Sequence, residues 1–162
     1  MKNINKILLF LLLGTFVTSC DEGGNPDPGE TSVVEMAGDW YVQGFIGDQL
    51  IADYLLISTY NTATDDGTEM WVDDQGNFWE FKAKSPVNTT SLTFSGDALD
   101  SDFDGYIITV SISNGTIVKD GATTSGGNTA DGISFDIEFS DDPGTIYTLS
   151  GYKRTGLLED EH

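Results

Sequence analysis

The stretch ISFDIEFS, Ile133 to Ser140, decides the structural class of this chain. Ile133, Phe135, Ile137 and Phe139 fall on one face of an extended segment, and Ser134, Asp136, Glu138 and Ser140 on the other. A period of two is the geometry of a strand with one dry and one wet face. The same alternation recurs upstream. Tyr106, Ile108, Val110 and Ile112 oppose Ile107, Thr109, Ser111 and Ser113, while Trp79, Phe81 and Ala83 oppose Glu80, Lys82 and Lys84. These read as half-buried antiparallel strands. No segment carries a helical period, so the expected class is all-β.

Turn residues punctuate the strands: Asp65-Asp66-Gly67, Asp73-Asp74-Gln75-Gly76-Asn77, Asn114-Gly115 and Asp141-Asp142-Pro143-Gly144. Asn-Gly between β-rich runs predicts a tight hairpin. The alternation rule gives about nine strands, near residues 38–46, 52–60, 68–73, 78–84, 89–95, 105–113, 115–119, 132–140 and 145–154. Many short strands joined by tight turns form an up-and-down barrel or a sandwich. The barrel has the advantage of leaving no exposed edge. Gly121 to Gly132 is poor in apolar residues and reads as a mobile loop.

The N-terminus is organised differently. Lys2 and Lys6 precede an apolar run from Ile7 to Val17, which is too short to span a bilayer and fits the core of an export signal. Val17-Thr18-Ser19-Cys20 resembles a bacterial lipobox, in which the cysteine is acylated and the chain is cut just before it. Cys20 is the only cysteine, so no intrachain disulfide competes for it. The expected organisation is a signal peptide over 1–19, an acylated, flexible acidic tether over 20–35, a barrel over 36–156 and an acidic tail over 157–162. The expected location is the bacterial cell envelope, lipid-anchored, on the periplasmic or surface face of the outer membrane. Asp21 and Glu22 resemble surface-export tags, although in some bacteria an Asp after the cysteine retains the protein at the inner membrane.

The formal charge is −20, with 27 acidic residues against 7 basic ones. Nucleic-acid binding, which rests on Lys and Arg neutralising phosphates, is excluded as a function class. Anionic headgroups repel such a domain, which makes a lipid anchor more necessary.

Gly38-Asp39-Trp40 resembles the G-x-W of lipocalins and their calycin relatives, where the Trp closes the barrel base and a basic residue of the last strand often stacks on it. Trp40 with Arg154 is the pair expected to close the barrel here, Lys153 being the neighbouring cation. The segments AGDWYV, EMWVDDQGNFWEFKAK and SGYKRTGLLEDE resemble a wider pattern, that of a bacterial lipoprotein family catalogued as lipid-binding putative hydrolases. The resemblance covers roughly residues 36–162. It implies a calycin/lipocalin-like barrel of about eight or nine strands that binds a lipid or other small apolar molecule. In such a barrel the apolar strand faces point inward, which makes Trp79, Phe81, Phe94, Phe135, Phe139, Tyr147 and Leu149 candidates for an apolar cup. The same side chains could equally fill the interior as an ordinary core.

Residues for covalent chemistry are scarce. The single histidine is His162, at the end of the sequence, no G-x-S-x-G occurs, and zinc-type His or Cys clusters are absent. Asp65, Asp66, Asp73 and Asp74 read as solvated turn residues. No catalytic residue is assigned. Asp100-Ser101-Asp102-Phe103-Asp104-Gly105 matches the opening of a calcium loop, with Asp100, Asp102 and Asp104 as ligands and Asp97 as a possible fourth; an EF-hand is excluded because its twelfth position would be Ser111. Three functions remain open: a tethered lipid-binding barrel without enzymatic activity, a closed-barrel accessory protein that contacts protein or glycan through its loops, and a carboxylate-based hydrolase. Trp71, which alternates away from Met70 and Val72, is expected to face outward.

Overall fold

The computed structural model describes residues 29–162. Cys20, the signal segment and most of the tether lie outside the described residues.

Eight antiparallel strands close into one barrel in sequence order: β1 (Gly38–Ile46), β2 (Gln49–Asn61), β3 (Glu69–Asp73), β4 (Lys82–Asn88), β5 (Thr93–Asp100), β6 (Thr109–Thr123), β7 (Thr129–Phe139) and β8 (Tyr147–Lys153). β8 returns to pair with β1, with Trp40 opposite Lys153 and Val42 opposite Gly151. The alternation in ISFDIEFS is realised literally: Ile133, Phe135, Ile137 and Phe139 are buried, and the residues between them are not. Up-and-down order sorts the loops. Those after β1, β3, β5 and β7 share one end, called the mouth. The segment entering β1 and the loops after β2, β4 and β6 share the other end, the base.

A single turn of 3-10 helix, Val34–Met36, plugs the base and puts Val33 and Met36 into the core. Trp40 is fully buried beside it. Its indole N–H donates to Thr59 Oγ1 at 2.8 Å, and that hydroxyl donates to the Met36 carbonyl at 2.6 Å. The indole therefore keeps its hydrogen bond inside the core, as a buried Trp requires. The cation over the Trp40 ring is Lys153, at 5.7 Å from the centroid, and not Arg154. Register explains this: Lys153 is directly opposite Trp40 and shares its face, so the next residue points away. Arg154 binds Glu161 instead, at 2.6 Å.

The structure revises other expectations. The two strands expected at 105–113 and 115–119 are one, β6, which begins only at Thr109, so eight strands replace nine. Asn114-Gly115 is a bulge inside β6, where the register shifts between Ser113 and Thr116. Asn114 takes a left-handed φ of 53°, which Asn tolerates, and a Cβ on Gly115 would lie 2.3 Å from the Phe94 carbonyl oxygen. Residues 121–132 are not a mobile loop. β6 and β7 continue to Thr123 and Thr129, and the Thr124–Asn128 turn is closed by Thr124 N–H to Asn128 O at 2.9 Å. The ladder was hidden because the apolar residues that pack there are small, Ala122 facing Ala130 against the tyrosines of the outer wall.

The C-terminal residues dock rather than fray. Leu158–Asp160 form a 3-10 turn, and Asp160 is fully buried. Its carboxylate accepts from Gly126 N–H (2.9 Å), Asn128 Nδ2 (3.1 Å) and Thr155 Oγ1 (2.7 Å). Burial pushes this carboxyl up, but the hydrogen bonds outweigh it and hold it below the usual range. His162 stacks on Tyr54 with ring centroids 3.9 Å apart, and its Nε2 is 2.5 Å from the Tyr152 hydroxyl. The tail thus covers Tyr41 and Tyr152, a small apolar cluster on the outer wall.

Candidate functional site

The β3–β4 loop carries the first part of the site. Strand β4 starts at Lys82, not near residue 78. Residues 74–81 instead wrap around one carboxylate. Asp74 is fully buried and is not a solvated turn residue. Its Oδ1 accepts from the backbone N–H of Gly76 and Phe81, both at 2.9 Å, and its Oδ2 from those of Phe78 (3.1 Å) and Trp79 (2.6 Å). Glu80 adopts φ 56°, which breaks the alternation and lets both Phe78 and Trp79 pack against the core. Asp65 and Asp66 behave as expected, accepting from Ser32 and Thr68, whereas Asp73 is the half-buried last residue of β3 and accepts from the Tyr60 hydroxyl and the Gln75 N–H.

Trp79 lies flat on Phe139, with centroids 4.6 Å apart and planes at 11°. Phe78, Phe81 and Tyr147 surround that pair at 5.1–6.1 Å. Deeper in the barrel, Phe94 packs on Phe135 at 5.5 Å, and Phe135 lies opposite Leu149 in the β7–β8 ladder. The seven cup candidates thus form one continuous apolar interior. Six of them are buried, and Trp79 is half-buried at the mouth. In this structure they touch one another, so each fills the space its neighbours leave. Fully burying a Phe contributes about 1.5–3 kcal/mol, which makes the cluster a main source of stability as well as the lining of any cup.

Two acids fasten the mouth. Asp141, in the β7–β8 loop, accepts from the Trp79 indole N–H at 3.2 Å and from the Tyr106 hydroxyl. Asp142 accepts from the Tyr147 hydroxyl at 2.6 Å. Burial and that hydrogen bond push the Tyr147 phenol up to about 12. The Tyr106 bond, supported by Trp79, holds the Asp141 carboxyl below its ordinary value despite an opposing desolvation. A carboxyl with a lowered folded-state pKa stabilises the fold above its unfolded pKa, and that contribution is lost as pH falls through the folded pKa. The fastening is therefore expected to hold at neutral pH and to release below the ordinary carboxylate range. Trp79 emission followed against pH should shift in that acid window, and Asp141→Asn should remove the shift. A shift retained in Asp141→Asn would disprove the assignment.

Phe78, Asp74, Asp141 and Asp142 are site residues that alternation did not reveal; it did put Tyr106 on the apolar face, though not among the cup candidates. Phe78 sits out of phase, and the aspartates look like any other turn acids. Only the aromatic density of NFWEF, Asn77 to Phe81, marked the place.

The structure does not gather the calcium candidates into one site. Asp100 is paired with Thr109 at the end of β5, and Ser101 and Asp102 are drawn onto β4 by the Ala83–Ser101 bridge and the Asp102 N–H to Lys82 O bond of 2.7 Å. Asp97 accepts from Ser111 Oγ. Asp100, Asp102 and Asp104 consequently do not converge, and among the described residues no group of three or more His, Cys, Asp or Glu side chains is arranged to hold a metal ion.

A search of curated proteins found no match to this chain. A comparison with protein families found one match, over residues 25–158, to a family described as lipid-binding putative hydrolase. That span takes in the base plug, all eight strands and the aromatic mouth. A closed all-β barrel with an aromatic interior, matched over most of its length, belongs to the family of lipid-binding putative hydrolases.

Proposed function

We propose that this protein is an acylated envelope lipoprotein, tethered through Cys20, that takes the apolar part of a lipid into the mouth of its barrel without covalent chemistry. One observation carries the reading. The aromatic interior reaches the surface at the mouth, where half-buried Phe78, Trp79 and Tyr106 separate it from solvent. A lipid chain entering there would take the place of the Trp79 and Phe78 rings on Phe139, exchanging one apolar contact for another. The residues around the mouth are also apolar on the outside. Ile46, Leu50 and Ile51 flank the β1–β2 turn, Ile107 is 98% exposed after β5, and Ile146 is exposed before β8. An exposed apolar rim of this kind suits contact with lipid or detergent more than with water. The non-enzymatic part rests on His162, which is engaged with Tyr54 and Tyr152, while among the described residues no serine or threonine hydroxyl bonds to it.

The test is a native mass spectrum of the purified chain followed by titration with long-chain fatty acids, read by Trp79 emission. A stoichiometric lipid adduct or saturable binding is expected. Trp79→Ala should weaken binding roughly tenfold or more, given the apolar area that ring contributes. A chain that carries no lipid and binds none of the fatty acids would overturn the reading.

A further inference from the structure

The outer wall below the mouth holds a second recess of about 350 Å³, lined by Trp71, Lys84, Leu99, Asp100, Ser101 and Asp102. Trp71 faces outward between the buried Met70 and Val72. The ammonium groups of Lys82 and Lys84 stand 4.7 and 5.0 Å from its ring centroid, within cation–π range. The wall is irregular at this point. A step of seven residues along β5, Phe94 to Ser101, faces a step of only four along β4, Val87 to Ala83, so β5 bulges outward with Ala98 at φ 48°.

Three of the five described basic residues, Lys82, Lys84 and Lys153, have no carboxylate partner among the described residues, and the first two stand at this recess. Lys119 is paired with Glu35 and Asp131, and Arg154 with Glu161. Among the described residues Lys82 and Lys84 have no carboxylate partner, and the Asp100 and Asp102 carboxylates accept no hydrogen bond. Lys84, Asp100 and Asp102 line the recess, Lys82 stands beside it over the Trp71 ring, and these two cations and two anions do not pair with each other. A ligand carrying both charges would pair them all. A simple anion would face the long-range repulsion of a chain with formal charge −20, whereas an ammonium carried on the same molecule offsets part or all of the phosphate charge and lets the local groups decide.

We infer that this recess binds a phosphate–ammonium zwitterion, the phosphate between Lys82 and Lys84 and the ammonium at Asp100 and Asp102 against the Trp71 ring. The two donors above one ring suit the several oxygens of a phosphate, and charge-assisted bonds are the stronger kind. Leu99, on the recess wall, packs against the barrel core, so the site adjoins the apolar interior. Assigning the zwitterion to a lipid headgroup rests on the lipid-binding reading above, but the recess itself does not.

The test is a titration of the full chain, read by Trp71 emission and calorimetry, with phosphoethanolamine, inorganic phosphate, ethanolamine and dihexanoyl phosphatidylethanolamine. Saturable binding of phosphoethanolamine is expected, with inorganic phosphate and ethanolamine at least about tenfold weaker. Lys82→Gln with Lys84→Gln should weaken it at least tenfold, as should Asp100→Asn with Asp102→Asn; all four positions lie at the wall surface, and circular dichroism confirms folding. Tighter binding of the short-chain lipid assigns the site to a lipid headgroup, and equal binding assigns it to a free zwitterionic phosphate; both support the recess. Inorganic phosphate binding as well as phosphoethanolamine, or no binding of either, overturns the proposal. Trp79→Ala should leave phosphoethanolamine binding unchanged, so failure of the mouth reading and failure of this one are told apart.

Discussion

Gly151→Ala is expected to prevent the barrel from closing. Gly151 lies in β8 opposite Val42 of β1 and Ile133 of β7. A Cβ at this position would sit 1.9 Å from the Tyr41 carbonyl oxygen and 2.7 Å from the Val42 Cα. Both obstacles are backbone atoms, so no rotamer change relieves the contact. Overpacking a core with a movable side chain costs about 1–3 kcal/mol. Here the β1–β8 ladder itself has to separate, and the expected loss is at or above the top of that range. Because this ladder closes the barrel, its loss also bares the edges of β1 and β8, an invitation to aggregation. Urea denaturation followed by circular dichroism measures the effect. A stability within about 1 kcal/mol of the parent would show that the β1–β8 register differs from the one described.

The second large effect is expected at Asp74. Its side chain is the only partner of four backbone N–H groups in the 74–81 loop among the contacts described. Asp74→Ala leaves all four without an acceptor beneath the aromatic cluster. Hydrogen bonds to charged groups contribute about 1.5–3 kcal/mol each, and their losses do not add fully, so about 3–5 kcal/mol is expected in total. Asp74→Asn is the sharper probe. The amide keeps one acceptor oxygen and presents its NH₂ to the other two donors, so it should recover at most half of the loss. Both variants should also weaken lipid binding, because the loop that places Phe78 and Trp79 on Phe139 is no longer held. The check is denaturant midpoint together with Trp79 emission. If Asp74→Ala unfolds at the parent's midpoint, the loop is held by something other than this carboxylate.

The strands were legible wherever one face is apolar and the other polar. Ile133–Ser140 shows the pattern at full strength, and its alternation maps onto burial residue by residue. The pattern weakens where apolar burial is not what pairs the strands. The ends of β6 and β7 carry small and polar residues yet form a ladder, because backbone hydrogen bonds and the docked Asp160 hold them. Asn114-Gly115 carries a correct local signal, since Asn does adopt the left-handed conformation there. The same conformation serves a hairpin or a bulge, and only the partners on both sides choose between them. The candidate cup was legible as a set of aromatics. Its fastening was not, because Asp74, Asp141 and Asp142 look in sequence like the solvated acids of any tight turn.

By itself the sequence determined the all-β class, the antiparallel order, the inward aromatics and the acidic exterior, since all of these follow from periodicity and composition within a few neighbouring residues. The tertiary structure decided what depends on residues far apart in the chain. It made Lys153 rather than Arg154 the cation over Trp40, buried Asp74, docked His162 on Tyr54 and kept Asp100, Asp102 and Asp104 from gathering as a metal-binding trio. The physical reason is register. A shift of one residue between paired strands exchanges inside for outside, and that choice is made across the barrel, where no local pattern records it.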